Sequence, residues 1–183
     1  YIGLSSSELH GRNFDQETSR SAVGQPIGSF FVYEADGLFQ SDAEIQNYKN
    51  DRGELLQPNA KPGDIRFKDL NGDGVINSDD RDFKGNPLPD CSMGLTLGFN
   101  YKNFDVSAFF QGVFGNEVYN LTNYLGEFYN QAQYNKNSTI LDAWRPDNTD
   151  TDIPRVTLDD PNNNIRPSTY YIHNASFVRL KNL

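Results

Sequence analysis

One stretch of the sequence alternates strictly in polarity, and this pattern constrains the fold more than any other feature. Over residues 92–101, every second residue is large and apolar: Met93, Leu95, Leu97, Phe99 and Tyr101. The residues between them are serine, glycine, threonine or asparagine. Because successive side chains of a strand point to opposite faces, this pattern predicts a strand with one apolar and one polar face.

The alternation resumes after two polar residues, Lys102 and Asn103. One face then carries Phe104, Val106, Ala108 and Phe110. A tight turn at Lys102 and Asn103 would pair the two segments as a hairpin over residues 92–114. Each arm has about the nine to eleven residues that a tilted strand needs to cross a bilayer. A hairpin in a soluble β-sandwich would show a similar pattern, so this stretch alone leaves both architectures open.

A long polar region, residues 115–170, follows the hairpin and is rich in Asn, Asp and Tyr. Such long connections are uncommon in compact soluble domains, whereas the outer loops of membrane barrels are often long. The contrast between the short turn of the hairpin and this long region favours the barrel. A short helix capped at Ser138 is expected within the region, and another where Ser41 and Glu44 have the spacing of a capping box. Residues 1–24 show no sustained period.

Charge and cysteine content exclude several classes. Sixteen Lys and Arg residues against 25 Asp and Glu residues leave a formal net charge of −9, and no basic run suits a phosphate backbone, so no nucleic acid is expected as a partner. Cys91 is the single cysteine, which rules out an intrachain disulfide and a cysteine-based zinc site. No stretch approaches the roughly 20 apolar residues of a transmembrane helix. The chain starts without an initiator methionine, and we expect it to be a piece of a longer protein.

Residues 69–80, DLNGDGVINSDD, have the spacing of a calcium-binding loop. An EF-hand-type loop supplies about six oxygen ligands from positions 1, 3, 5, 7, 9 and 12, with glycine at position 6. Gly74 occupies position 6, and the ligand positions hold Asp69, Asn71, Asp73, Val75 (through its carbonyl), Asn77 and Asp80. We therefore predict a structural Ca²⁺ site within residues 64–90. A turn without metal is the alternative, since Asn-Gly and Asp-Gly dipeptides form turns unaided.

No motif in the sequence indicates catalysis. His10 and His173 are the only histidines, and neither lies beside a serine or cysteine nucleophile in a known motif. The adjacent Asp159 and Asp160 resemble a glycosidase carboxylate pair only superficially, because adjacent aspartates in a polar loop are usually solvated. There is no phosphate-binding glycine loop and no cofactor fingerprint. An enzyme is therefore not expected.

Five phrases occur in a characteristic order between Gln25 and Leu183. They are GQPIGSFFVYEADGLFQ, GDIRFKDLNGDGVINSDDRDFKGNPLPD, GLTLGFNYKNFDVSAFFQGVFGNEVYN, AWRPDNTDTDIPR and YYIHNASFVRLKNL. In this order they resemble the barrel portion of the SusC/RagA-type TonB-dependent outer-membrane transporters.

The resemblance implies an all-β fold, namely an antiparallel transmembrane β-barrel segment of a large plugged outer-membrane barrel. Its long extracellular loops would contain short helices. Residues 1–183 would form part of one receptor barrel domain. Within it, residues 64–90 and 115–170 would be extracellular loops, and residues 92–114 would cross the outer membrane of a Gram-negative bacterium.

The resemblance also implies a function and partners. Such transporters import oligosaccharides or peptides together with a SusD-like surface lipoprotein. They draw energy from a TonB complex, which would be contacted through parts not in this chain, and their barrels contact outer-membrane lipid. Aromatic residues of the long loop would stack on sugars or on the lipoprotein, or form a loop core: Tyr124, Tyr129, Tyr134 and Trp144. A secreted, calcium-braced β-sandwich that binds carbohydrate or protein is the alternative.

Overall fold

The computed structural model describes residues 8–13, 16–127 and 135–183, and for residues 8–13 and 16 only the backbone is considered. The strands are β1 Glu8–Asn13, β2 Gln16–Ala22, β3 Ser29–Tyr33, β4 Ala35–Leu38, β5 Ile65–Phe67, β6 Arg81–Phe83, β7 Cys91–Tyr101, β8 Phe104–Phe114, β9 Glu117–Tyr119, β10 Ile172–Asn174 and β11 Phe177–Asn182. The α-helices are α1 Asp42–Asn47 and α2 Leu121–Glu127. Short 3-10 helices span Ser78–Asp80, Ser138–Asp142 and Thr169–Tyr171. No helix in these ranges is long and apolar enough to cross a bilayer.

The predicted hairpin is confirmed as a pair of strands. Strands β7 and β8 are antiparallel and in register from Cys91 opposite Phe114 to Tyr101 opposite Phe104. Lys102 in the connecting turn has a φ of 52°, the left-handed conformation that tight hairpin turns use. The last strand, β11, pairs with the other edge of β8, so that the sheet order is β11-β8-β7.

The apolar faces of these three strands form one continuous surface, which we call the apolar sheet face. Leu95 lies opposite Phe110, which in turn lies opposite Leu180 of β11. Leu97 is 54% exposed, so this face is not covered by a second layer of the described chain. On the other face, Asn100 donates a hydrogen bond to Asp105 across the strands, at 2.7 Å. The sheet therefore separates apolar from polar side chains as the alternation predicts.

The loop regions on either side of the hairpin pack together around a shared core. Residues from β4 and β5 meet residues from the region after the hairpin, forming a cluster of Leu38, Ile65, Phe67, Tyr124, Trp144, Ile165 and Tyr171. The described part of residues 115–170 contributes to this core through Tyr119 of β9 and Tyr124 of α2. The extracellular position of these regions stays a prediction.

Of the two predicted helices, one is confirmed and one differs. Helix α1 begins after Ser41, whose hydroxyl accepts a hydrogen bond from the Glu44 N–H at 3.3 Å, as the capping spacing predicts. The segment at Ser138 forms a 3-10 helix, and its N-cap is Asn137 with no side-chain cap bond. Ser138 was therefore wrongly predicted as a cap.

Candidate functional site

The candidate calcium loop, residues 69–80, is shaped by its own side chains. The two carboxylate oxygens of Asp69 accept hydrogen bonds from the Gly72 N–H at 2.7 Å and the Gly74 N–H at 2.8 Å. Gly74 has a φ of 88°, which an L side chain rarely adopts. The sharp turn predicted for position 6 is therefore present.

Three of the predicted ligand side chains converge. Asp73 Oδ2 accepts hydrogen bonds from the side-chain nitrogens of Asn71 and Asn77, at 3.0 Å and 3.4 Å. The Asn77 nitrogen also donates to the Val75 carbonyl at 3.3 Å. Hydrogen bonds from the Val75 N–H and from Asn71 lower the pKa of Asp73 below its usual value. The loop thus gathers positions 3, 5, 7 and 9 around one carboxylate.

Asp80, the predicted ligand at position 12, already has a structural role. It is fully buried, and its two oxygens accept hydrogen bonds from Leu70 N–H at 2.9 Å and Asn77 N–H at 2.8 Å. Together with Asn77 it forms a capping box around the 3-10 helix Ser78–Asp80. This role explains the position of Asp80 without a metal.

The donor chemistry of the loop fits calcium, although the carboxylates alone do not make a site. Within the described ranges, no three or more His, Cys, Asp or Glu side chains lie close enough to hold a metal. A calcium ion would therefore depend on the Val75 carbonyl and on the amides of Asn71 and Asn77, all oxygen donors of the kind that calcium accepts. The amide oxygens now accept the N–H groups of Asp73 and Asp79, so both amides would turn to bind a cation.

A polar groove of about 440 Å³ adjoins the calcium loop. Asn50 joins the two, because its side-chain nitrogen donates to the Gly74 carbonyl at 3.2 Å. A Cβ added to Gly74 would lie 2.7 Å from that nitrogen, so only glycine permits this approach. Charged side chains of both signs line the groove: Lys49, Asp51, Arg52, Lys68, Asp69 and Asp73.

Two of the four aromatic residues considered for ligand stacking lie in the core. Tyr124 is 5% exposed and Trp144 is 8% exposed, so their faces are not available to a sugar. Trp144 also donates a hydrogen bond from Nε1 to Gln40 at 2.9 Å. Tyr129 and Tyr134 lie outside the described residues. His173 is exposed on β10, whereas the side chain of His10 lies outside the description.

Comparisons with known proteins identify the family, although no family model matches the sequence. TonB-dependent receptor P3 of Formosa agariphila is 36% identical over 173 residues, which cover 94% of this chain. TonB-dependent receptor P26 of the same organism is 35% identical over 181 residues, or 99% of this chain. The chain belongs to the TonB-dependent receptor family. TonB-dependent receptor SusC of Bacteroides thetaiotaomicron is a more distant relative, 29% identical over 161 residues.

This TonB-dependent receptor segment spans only 16% of the length of receptor P3 and 17% of receptor P26. Among solved structures, a chain of the RagAB peptide transporter matches it with a TM-score of 0.62 and 25% identity. That match covers 99% of this chain and 18% of the transporter chain. None of these relatives is named as an enzyme, in agreement with the lack of a catalytic motif.

Proposed function

We propose that this chain forms part of the barrel wall and outer loops of an importer that carries oligosaccharides or peptides across the outer membrane of a Gram-negative bacterium. The observation that supports this most directly is the uncovered apolar sheet face on β7, β8 and β11. Strands that face lipid on one side and a polar lumen on the other have this alternation. The chain's relatives, which are TonB-dependent receptors, favour the same function.

The proposed partners follow from the same arrangement. The apolar sheet face would contact outer-membrane lipid, and the folded loop regions 64–90 and 115–170 would lie outside the cell under a SusD-like surface lipoprotein. The TonB complex would act through parts of the protein that lie outside this chain. A secreted β-sandwich has less support, because its inner apolar face would be covered by a second sheet.

The proposed role of the calcium loop is structural. Bound calcium would stabilise the conformation of residues 69–80 and the contact of this loop with Asn50. The loop is flanked by the strands β5 and β6 and not by two helices, so it has no helix pair to open as a calcium sensor does. Extracellular calcium would suffice even for a weak site with a dissociation constant on the order of 10⁻⁴ to 10⁻³ M.

Uptake by living cells tests the proposed import. The full-length gene would be deleted, and uptake of fluorescent oligosaccharide and peptide mixtures would be compared with that of the parent strain. We expect uptake of one class to fall in the deletion strain, to return on complementation, and to fall equally when TonB is removed. Uptake that persists without the gene, or that does not depend on TonB, would contradict the proposal.

A further inference from the structure

A cavity of about 490 Å³ lies between strands β4 and β5, helix α2 and strand β10. Its walls are mainly apolar and include Leu38, Ile65 and Ile153. The exposed side chains of Asp152 and His173 also line it, which places its opening on the surface of the loop regions. The cavity has the size and mainly apolar lining that small-molecule and side-chain sites commonly have.

A buried carboxylate, Glu127, also lines this cavity. Glu127 is 8% exposed, and its oxygens accept hydrogen bonds from the Tyr170 hydroxyl at 2.6 Å and the Thr139 hydroxyl at 3.5 Å. Among the side chains of residues 17–127 and 135–183, no cation forms an ion pair with it. Both hydrogen-bond partners are neutral, so no positive charge within these residues pairs with the carboxylate of Glu127.

The burial of Glu127 makes this negative charge costly. A carboxylate that is buried without a cation is unfavourable in a low-dielectric environment. A cation that entered the cavity would remove this penalty, and the exposed carboxylate of Asp152 would attract it at the opening.

The residues that line the cavity indicate which kind of chemical group would bear that positive charge. A straight apolar stem would pack against Leu38, Ile65 and Ile153, whereas a sugar would need an exposed aromatic face for stacking. Tyr170 is the one Phe, Tyr or Trp residue among the described lining residues, and its ring already packs against that of Tyr171, with 5.1 Å between the ring centroids. The lining therefore favours a long basic side chain over a carbohydrate.

We propose that this cavity binds the basic side chain of a peptide, with the ammonium group of a lysine at Glu127 and its methylene stem along the apolar wall. The inference rests on the proposed import function and narrows its substrate class to peptides that contain basic residues. Nothing in the sequence pattern marked the site, because its lining residues come from six separate segments.

Calorimetry on the full-length receptor in detergent micelles tests the inference. The probes are the tripeptides Ala-Lys-Ala and Ala-norleucine-Ala, with both termini blocked, which differ in the ammonium group but share a similar stem. We expect the lysine peptide to bind at least about tenfold more tightly, as a charge-assisted hydrogen bond requires. Equal affinities, or no binding of either peptide, would overturn the inference.

Variants of the receptor test whether the preference for the lysine peptide arises in this cavity. Glu127→Gln keeps an acceptor for the Tyr170 hydroxyl and should abolish the preference for lysine, whereas Asp159→Asn removes an exposed carboxylate outside the cavity and should preserve it. Asp152→Lys places a cation at the opening of the cavity and should lower the affinity for the lysine peptide selectively. Because Asp152 is exposed, this variant still gives a result if Glu127→Gln fails to fold. A preference that survives both cavity variants, or that Asp159→Asn also abolishes, would overturn the site.

Two further measurements separate the alternatives. n-Butylamine carries the same single ammonium group and methylene stem without a peptide, and an affinity equal to that of the lysine peptide would assign the cavity to free amines and overturn the peptide part of the inference. The binding assay does not depend on energy from TonB. Normal TonB-dependent uptake without a lysine preference would therefore remove this inference alone, whereas the import function fails only if uptake itself is absent.

Discussion

Arg155 and Asp64, which are 91 positions apart in the sequence, form a two-point ion pair. The Arg155 Nε and Nη2 atoms lie 2.6 Å and 3.2 Å from the two carboxylate oxygens of Asp64. Asp64 is fully buried and also accepts a hydrogen bond from the Asn164 side chain at 3.0 Å. A single carboxylate thus holds the region after the hairpin against the residues that precede β5.

Loss of this carboxylate should loosen the contact between the two loop regions. Asp64→Ala would leave the guanidinium of Arg155 without its partner, and removing one member of a buried pair costs about 3 kcal/mol or more. We expect faster hydrogen exchange at the Ile65 amide, which donates to the Asn164 side chain at 2.8 Å. Exchange in the full-length protein would be measured by mass spectrometry, with Asp159→Asn as the control. Unchanged protection of Ile65 would contradict the prediction.

The apolar sheet face should not tolerate charge near the middle of β7. If that face contacts lipid, Leu97→Arg would destabilise the folded barrel by about 2–4 kcal/mol, because an arginine near the bilayer midplane is poorly solvated. The neighbouring Thr96→Arg places the same residue on the polar face and serves as the matched control. Folded protein in vesicles would be quantified by heat-modifiable migration on gels. Equal folding of the two variants would argue against a lipid-facing sheet.

Calcium should bind through the Asp73 carboxylate, around which the loop converges. Asp73→Asn removes that charge, and we expect it to weaken calcium binding at least about tenfold, because carboxylate charge sets the affinity of such loops. Asp79→Asn removes a carboxylate from the same loop at a position that is not a ligand. Calorimetry with calcium, after treatment with chelator, would compare the two. Absence of binding heat in the parent protein would contradict the calcium proposal. An equal loss of calcium affinity in both variants would contradict the proposed set of ligands.

The carboxylate of Glu34 should make the stability of the loop regions depend on pH. Hydrogen bonds from Lys68 and then Lys84 lower the pKa of Glu34 in the folded protein. A lowered folded pKa means that the stabilisation is present above the unfolded value of 4.5 and is lost as the pH falls through the folded value. We expect the midpoint temperature of thermal unfolding to fall at pH values below 4.5. This fall should be smaller in Glu34→Gln. Asp150→Asn, at an exposed position, is the control. If the midpoint temperature of Glu34→Gln depended on pH as that of the parent protein does, the assignment would be contradicted.

Local patterns in the sequence predicted some elements well. The register of β7 and β8 follows from their alternation, because a slip by one residue would move every apolar side chain to the polar face. The cap at Ser41 was equally predictable, since it needs only residues within one helical turn. The 3-10 helix at Ser138 was less predictable, because the side chain of its N-cap residue, Asn137, makes no capping hydrogen bond. Strands β1 and β2 pair in antiparallel orientation without any periodic signal in the sequence.

Contacts between distant segments could not be predicted in this way. Asp64 and Arg155 each look like ordinary exposed charges, and Glu127 looks like one more acidic residue in a polar loop. Their burial depends on the packing of β5 against the region after the hairpin, which no local period records. The division has a physical cause: strand polarity is set by neighbours two residues apart, whereas the burial and pairing of a charge are set by whichever distant segments fold against it.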